Sequence, residues 1–121
     1  MRLASALLAA ALALPLPAPA STPDAAALFA DQCGDCHTLE TGRNKRGPSL
    51  AGLIGRQAGS VPGYNYSDAM RRSGVTWTPQ RLAQYLAAPK TDLPGTKMRL
   101  LIAPNPAQIS ELIDWLEKQP R

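Results

Sequence analysis

The sequence predicts a small all-α domain of three main helices, joined by short helical turns and long loops. Three observations predict it. Apolar residues recur at helical spacing in three segments, each opened by a capping residue followed by proline: Thr22-Pro23, Thr78-Pro79 and Asn105-Pro106. No credible strand pattern surrounds Cys33 and Cys36. Between Thr38 and Gly63, glycine and proline break every period. At 121 residues, with no internal repeat, the chain reads as one domain with a modest core.

Residues 1–20 read as a secretory signal. Arg2 precedes an apolar run from Leu3 to Leu14, and a Pro/Ala stretch ends on Ala18-Pro19-Ala20, matching a charged start, an apolar centre and a small-residue cleavage site. Cleavage is expected after Ala20, leaving residues 21–121 as the domain. A membrane anchor is the competing reading. The run is shorter than the about 20 residues that a bilayer requires, and Pro15, Pro17 and Pro19 interrupt it, so no integral membrane segment is expected after cleavage. The first helix is expected from Thr22, with its hydroxyl as N-cap, Pro23 at the first position and Asp24 near the positive end of the dipole. Ala25, Leu28 and Phe29 give it an apolar stripe that runs into Cys33.

The chain is organised around Cys33-Gly34-Asp35-Cys36-His37. Two cysteines spaced C-x-x-C with a histidine next read as an attachment site for one covalent c-type haem. On the first turns of a helix the two thiols can reach two vinyl groups at one edge of the macrocycle, while the next residue sets an imidazole under the iron. His37 is then the proximal axial ligand, and the opposite position decides between carrying electrons and chemistry on a bound molecule. Two other readings are weaker. A thioredoxin-like pair wants a βαβ context, and structural zinc needs four ligands where this chain offers two Cys and one His. Export suits covalent haem attachment, and the bacterial periplasm is the expected compartment.

A loop as long as Thr38 to Gly63 normally argues against a compact domain. Wrapped on a large apolar macrocycle it is expected to be ordered, with its glycines letting the backbone approach the ring. A flexible linker would expose Leu50, Leu53 and Ile54 without reason. Ser67 to Arg72 reads as a short helix stopped by Gly74. A clearer helix opens at Thr78 and Pro79, carries Leu82, Tyr85 and Leu86 on its apolar face, and ends at Pro89 through the restriction of Ala88. Leu93 to Met98 reads as a loop. Asn105 caps the last helix with Gln108 as capping-box partner, and Ile109, Leu112, Ile113 and Leu116 form its stripe, widened by Trp115.

Elimination narrows the second axial ligand. His37 is the only histidine and both cysteines are spent on thioethers, so methionine, lysine, tyrosine or an open site with water remain. Met70 lies in the short helix beside Arg71 and Arg72. Met98 follows a Pro-Gly loop able to carry its sulfur across the far face of the ring, and it is the expected ligand, although a methionine taken alone is more often a core filler.

With these residues in view the chain resembles class I cytochromes c of the mitochondrial type, in an exported bacterial form. The resemblance rests on Cys33-Gly34-Asp35-Cys36-His37-Thr38, Gly47-Pro48-Ser49-Leu50, Gly52-Leu53-Ile54-Gly55-Arg56, Pro62-Gly63-Tyr64-Asn65-Tyr66-Ser67-Asp68-Ala69, Gly74-Val75-Thr76-Trp77, Tyr85-Leu86 and Pro94-Gly95-Thr96-Lys97-Met98. It implies the small cytochrome c fold, its helices and long loops wrapped around one covalent haem. It also implies that the Pro48 carbonyl accepts the second ring N–H of His37. Tyr66 and Trp77 would donate to a buried haem propionate with Arg56 close by, and Tyr85 and Thr96 would lie on the Met98 side. Met70, Leu100 and Ala25 depart from the family pattern, which usually has an asparagine, an aromatic and a glycine there.

A haem held by His and Met cannot bind substrate without breaking a bond, so one-electron transfer is the expected work, rather than enzymatic catalysis. A soluble periplasmic carrier between respiratory or dehydrogenase partners is expected, docking at the exposed haem edge through Lys90 and Lys97, with Arg46 and Arg99 nearby. Two alternatives stand beside it: a labile Met98 bond serving a peroxidase or gas sensor, and a dedicated subunit of a periplasmic oxidoreductase. No distal histidine is present to act as a peroxidase base. The net charge of +4 is mild, so nucleic acid is not an expected partner, whereas an acidic protein patch is. A monomer is expected. At alkaline pH a deprotonated Lys90 or Lys97 is expected to displace Met98.

Overall fold

Local capping chemistry sets most of the helix boundaries. The computed structural model describes residues 10–17 and 24–121; the expected cleavage site after Ala20, Thr22 and Pro23 lie outside them. Helix α1 spans Ala25–Gln32, α2 Asp68–Arg72, α3 Pro79–Ala87, α4 Pro89–Asp92 and α5 Pro106–Glu117. Among the described residues no strand forms, and the β pairing is one isolated antiparallel bridge between Gln57 and Thr76.

Each cap satisfies a backbone N–H that the first helical turn leaves without a partner. The Ser67 hydroxyl accepts from the Met70 N–H at 3.1 Å, and the Thr78 hydroxyl from the Arg81 N–H at 3.1 Å. Asn105 and Gln108 close a reciprocal capping box, both bonds 2.9 Å long. The start of α1 corrects the expectation. Its N-cap is Asp24, not Thr22: the carboxylate accepts from the Ala26 N–H at 3.1 Å, so the helix begins at Ala25. Pro89 does more than end α3. Ala88 before it is extended (φ −159°, ψ 77°), and Pro89 then occupies the first position of α4, a short helix additional to those the sequence predicts.

Helix α5 packs against both α1 and α3, and α4 packs on α3. The α1 stripe meets the α5 stripe: Leu28 and Phe29 join Ile109, Leu112, Ile113 and Leu116 in one buried cluster, with the Phe29 and Trp115 rings 5.2 Å apart. Helix α3 adds Leu82, Tyr85 and Leu86. Burying each such aliphatic side chain contributes about 1.5–3 kcal/mol, which makes this crossing the anchor of the fold. Cys33 belongs to the same cluster, so the attachment motif grows directly out of the core.

The stretch from Thr38 to Gly63 is tied by long-range bonds. Leu50 N–H donates to Thr38 O at 2.8 Å and Gly47 N–H to Cys36 O at 2.7 Å. Around the bridge, Gly55 N–H donates to Trp77 O at 2.8 Å, Trp77 N–H to Arg56 O at 2.9 Å and Ala58 N–H to Val75 O at 2.8 Å. Leu53 is buried, and Leu50 and Ile54 pack against the core, which is the behaviour of a structured loop.

Candidate functional site

Cys33 is the C-cap of α1, its N–H donating to Phe29 O at 2.8 Å. The next turn closes on it: Cys36 N–H and His37 N–H both donate to Cys33 O, at 3.1 and 2.9 Å. One tight turn therefore carries both thiols and the imidazole. Both cysteines are free, Cys33 buried and Cys36 half-buried. Burial first, and the neighbouring Cys36 charge second, push the Cys33 thiol up to about 11, so it stays protonated at neutral pH. The Lys45 ammonium donates to the Gly34 carbonyl at 2.5 Å and braces the turn from the loop side.

His37 is held through one ring nitrogen. Nδ1 lies 2.7 Å from the Pro48 carbonyl oxygen, the bond that the resemblance implies, which fixes the proton on Nδ1 and leaves Nε2 as the free lone pair. Burial pushes the imidazole below its usual range; the Pro48 bond opposes this, and the Arg56 and Lys45 charges add to it. A neutral ring is the form that can ligate a metal. Gly47 makes the approach possible, because a Cβ there would lie 2.3 Å from His37 Cε1. Gly47 stands in the quoted Gly47-Pro48 doublet, but its closeness to the His37 ring is visible only in the structure, and the sequence carries no signal for the role of Lys45.

Arg56 donates through Nη1 to the Ser49 and Ala51 carbonyls at 2.9 and 3.0 Å, while its Nε is buried without a partner. Such a buried, orphaned donor on a half-buried cation is costly unless an anion meets it. Tyr66 accepts from the Val61 N–H at 3.1 Å, which leaves its own proton to give. Tyr66 and Trp77 are both buried, the second 5.1 Å from the Tyr85 ring.

On the other side, the Tyr85 and Thr96 hydroxyls meet at 2.5 Å, and Thr96 Oγ1 accepts from the Met98 N–H at 3.3 Å. Gly95 reaches this arrangement at φ 92°, where a Cβ would also press on the Ala69 Cβ at 3.1 Å. Met98 and Met70 are both half-buried against the core. Lys90 donates to the Thr96 carbonyl, and Lys97 to the Asn65 carbonyl at 2.8 Å. The two lysines expected as docking charges thus also fasten the loop around Met98.

Two adjacent thiols, an oriented imidazole, a methionine on a fastened loop and a half-buried guanidinium with an unpartnered Nε suit a macrocycle bearing carboxylate groups. The comparisons agree. A sequence profile described as "Cytochrome c" matches residues 23–120. Cytochrome c2 of Rhodopila globiformis is 48% identical over 90 residues, covering 74% of this chain and 85% of that protein. Cytochrome c of Arabidopsis thaliana is 44% identical over 95 residues, 78% of this chain and 85% of that one. The solved structure of cytochrome cH from Methylobacterium extorquens superposes with a TM-score of 0.72 at 37% identity, covering 79% of this chain and 96% of the other. A match that runs from just before α1 to just after α5 leaves no part of the helical domain outside it: the chain belongs to the cytochrome c family, electron carriers with a covalent haem c.

Proposed function

We propose that the mature chain, residues 21–121, is a soluble, monomeric periplasmic carrier of single electrons. Haem c would be joined to Cys33 and Cys36, with its iron between His37 Nε2 and the Met98 sulfur; bound there, it supplies a one-electron couple. The observation that supports this reading best is the pairing of an oriented imidazole, Nδ1 on Pro48 at 2.7 Å, with a methionine loop secured through Thr96, Lys90 and Lys97. Both ligand positions are held by the protein in advance, so little rearrangement accompanies a change of charge.

The remaining residues take roles that follow from their bonds. Pro48 orients His37. Arg56 offers its unpaired Nε, and Tyr66 and Trp77 their O–H and N–H, to a propionate, while Tyr85 and Thr96 support the Met98 loop. Lys90, Lys97 and Arg99 are exposed and suit an acidic redox partner. The signal would be removed after Ala20, and N-terminal sequencing of the exported protein should then begin at Ser21. Among the described residues no helix is long and apolar enough to cross a membrane.

The optical spectrum of the oxidised protein tests the ligand set. A weak iron–methionine charge-transfer band is expected, lost in Met98→Ala and kept in Met70→Ala. A high-spin spectrum without the band, or loss of the band in Met70→Ala alone, overturns the assignment.

A further inference from the structure

We propose that Arg81 and Asp92 are positioning residues for the Met98 ligand: their ion pair clamps α4, and the chain that runs from it to Met98, onto α3. The inference rests on the reading of Met98 as the second axial ligand and names what decides how readily that ligand leaves.

Arg81 Nη1 donates to Asp92 Oδ2 at 2.6 Å across the contact between α3 and α4. The two side chains are 25% and 19% exposed, whereas the other ion pairs among the described residues, Arg43 with Glu40 and Arg71 with Asp68, keep more than half of each side chain in water. Those two pairs join residues three apart in the chain, and this one joins two helices. Solvent screens an exposed pair until it contributes little. A sheltered pair keeps more of its attraction, and removal of one partner strands the other charge away from water. The Arg81 guanidinium also lies 5.9 Å from the centre of the Trp77 ring, near enough for the ring face to hold the cation in place.

A second contact repeats the first one turn further on. Tyr85 follows Arg81 by four residues on α3, Thr96 follows Asp92 by four, and the Tyr85 and Thr96 hydroxyls meet at 2.5 Å. Residues four apart on a helix share a face, so the two contacts are rungs between the same two segments. Asp92 is the last residue of α4, and backbone bonds carry the constraint from it to the second rung: Leu93 N–H donates to Pro89 O at 2.9 Å and Thr96 N–H to Leu93 O at 3.0 Å. Beyond that rung, Thr96 Oγ1 accepts from the Met98 N–H at 3.3 Å. For the Met98 loop to swing away, α4 must lift from α3 or the chain must part at Thr96. The ion pair resists the first movement, and the paired hydroxyls resist the second.

The test titrates the oxidised, haem-loaded protein with imidazole, follows loss of the iron–methionine charge-transfer band, and measures the urea midpoint beside it. Arg81→Gln and Asp92→Asn are each expected to tighten apparent imidazole binding about three- to thirtyfold. The double variant Arg81→Gln, Asp92→Asn should go no further than the larger single effect, because either substitution already removes the pair. Arg81→Lys keeps the charge and should return most of the parent affinity. The two single substitutions alter net charge in opposite directions, so a general charge effect would move the affinity in opposite directions. Asp114→Asn makes the same charge change as Asp92→Asn at an exposed position on α5 and should leave the affinity unchanged. A lowered urea midpoint with the parent imidazole affinity in both single variants would give the pair a role in overall stability alone and overturns the proposal. So do opposite shifts in the two single variants, or a double variant whose effect multiplies those of the singles. If the parent protein shows no charge-transfer band before imidazole is added, the reading of Met98 as ligand fails and the proposal falls with it.

Discussion

The Lys97 ammonium donates to the Asn65 carbonyl at 2.8 Å, joining positions 32 apart in the chain. Lys90 does the same work from the other side, donating to the Thr96 carbonyl. Met98 follows directly on this doubly fastened segment. Rigidity at the Met98 loop thus comes from surface lysines whose ammonium groups find backbone acceptors.

Replacing Lys97 with Gln should make the loop easier to open. With Met98 as the proposed axial ligand, exogenous imidazole would bind the ferric iron only after Met98 leaves, so its apparent affinity would report the cost of opening. A typical intramolecular hydrogen bond is worth about 0.5–1.5 kcal/mol net, which predicts binding roughly two- to tenfold tighter in the variant. An unchanged optical titration would show that the bond does not restrain Met98.

The same lysines are candidate replacements for Met98 at alkaline pH. Each must first give up its carbonyl acceptor, and each is within eight residues of Met98 in sequence. In the double variant Lys90→Gln, Lys97→Gln, loss of the charge-transfer band should move to higher pH. A pH titration of the band with an unchanged midpoint would exclude lysine as the displacing ligand.

Gly47 should tolerate no side chain. A Cβ would stand 2.3 Å from Cε1 and 2.7 Å from Nδ1 of His37, the ring whose Nδ1 is committed to Pro48. The ring or the loop must shift, and overpacking of this kind costs about 1–3 kcal/mol. Gly47→Ala is expected to lower the urea midpoint of the haem-loaded protein and weaken the charge-transfer band. A variant with the parent midpoint and spectrum would mean that the loop yields freely.

How much of this was legible beforehand depended on range along the chain. Helices α3 and α5 were readable because Thr78-Pro79 and Asn105-Pro106-Gln108 do their capping within three residues. The start of α1 was misplaced because Thr22 and Asp24 are both competent caps, and only the reach of Asp24 to the Ala26 N–H separates them. Pro89 was seen as a stop and not also as a start. The bonds of Lys90, Lys97 and Lys45 were illegible for a different reason: a lysine gives no sign in sequence of which carbonyl it will meet. Order in the 38–63 loop was expected from the macrocycle alone, yet Asn44 and Ser49 also tie it, through Asn44 Oδ1 to the Ser49 N–H at 2.9 Å and Ser49 Oγ to Glu40 O at 2.6 Å.

The Tyr85 hydroxyl gives a pH-dependent prediction. Burial is the main cause that raises its pKa above the ordinary 10.0; the Thr96 bond opposes this, the Asp92 charge adds to it, Tyr64 adds further and Arg81 subtracts. In the unfolded chain the phenol ionises near 10.0, while in the folded protein it keeps its proton to higher pH. The unfolded state therefore releases its proton first as pH rises, and stability that is fully present below 10.0 is lost from there upward until the folded phenol also ionises. Tyr85→Phe removes this slope. It also removes the 2.5 Å bond to Thr96, at a cost of about 0.5–1.5 kcal/mol at neutral pH. Urea denaturation of both proteins from neutral to strongly alkaline pH should show the parent more stable at neutrality and the gap closing above 10.0. Tyr64, raised as well, is present in both proteins and cancels in the difference. A gap that stays constant with pH would show that the Tyr85 phenol ionises alike in the folded and unfolded chains.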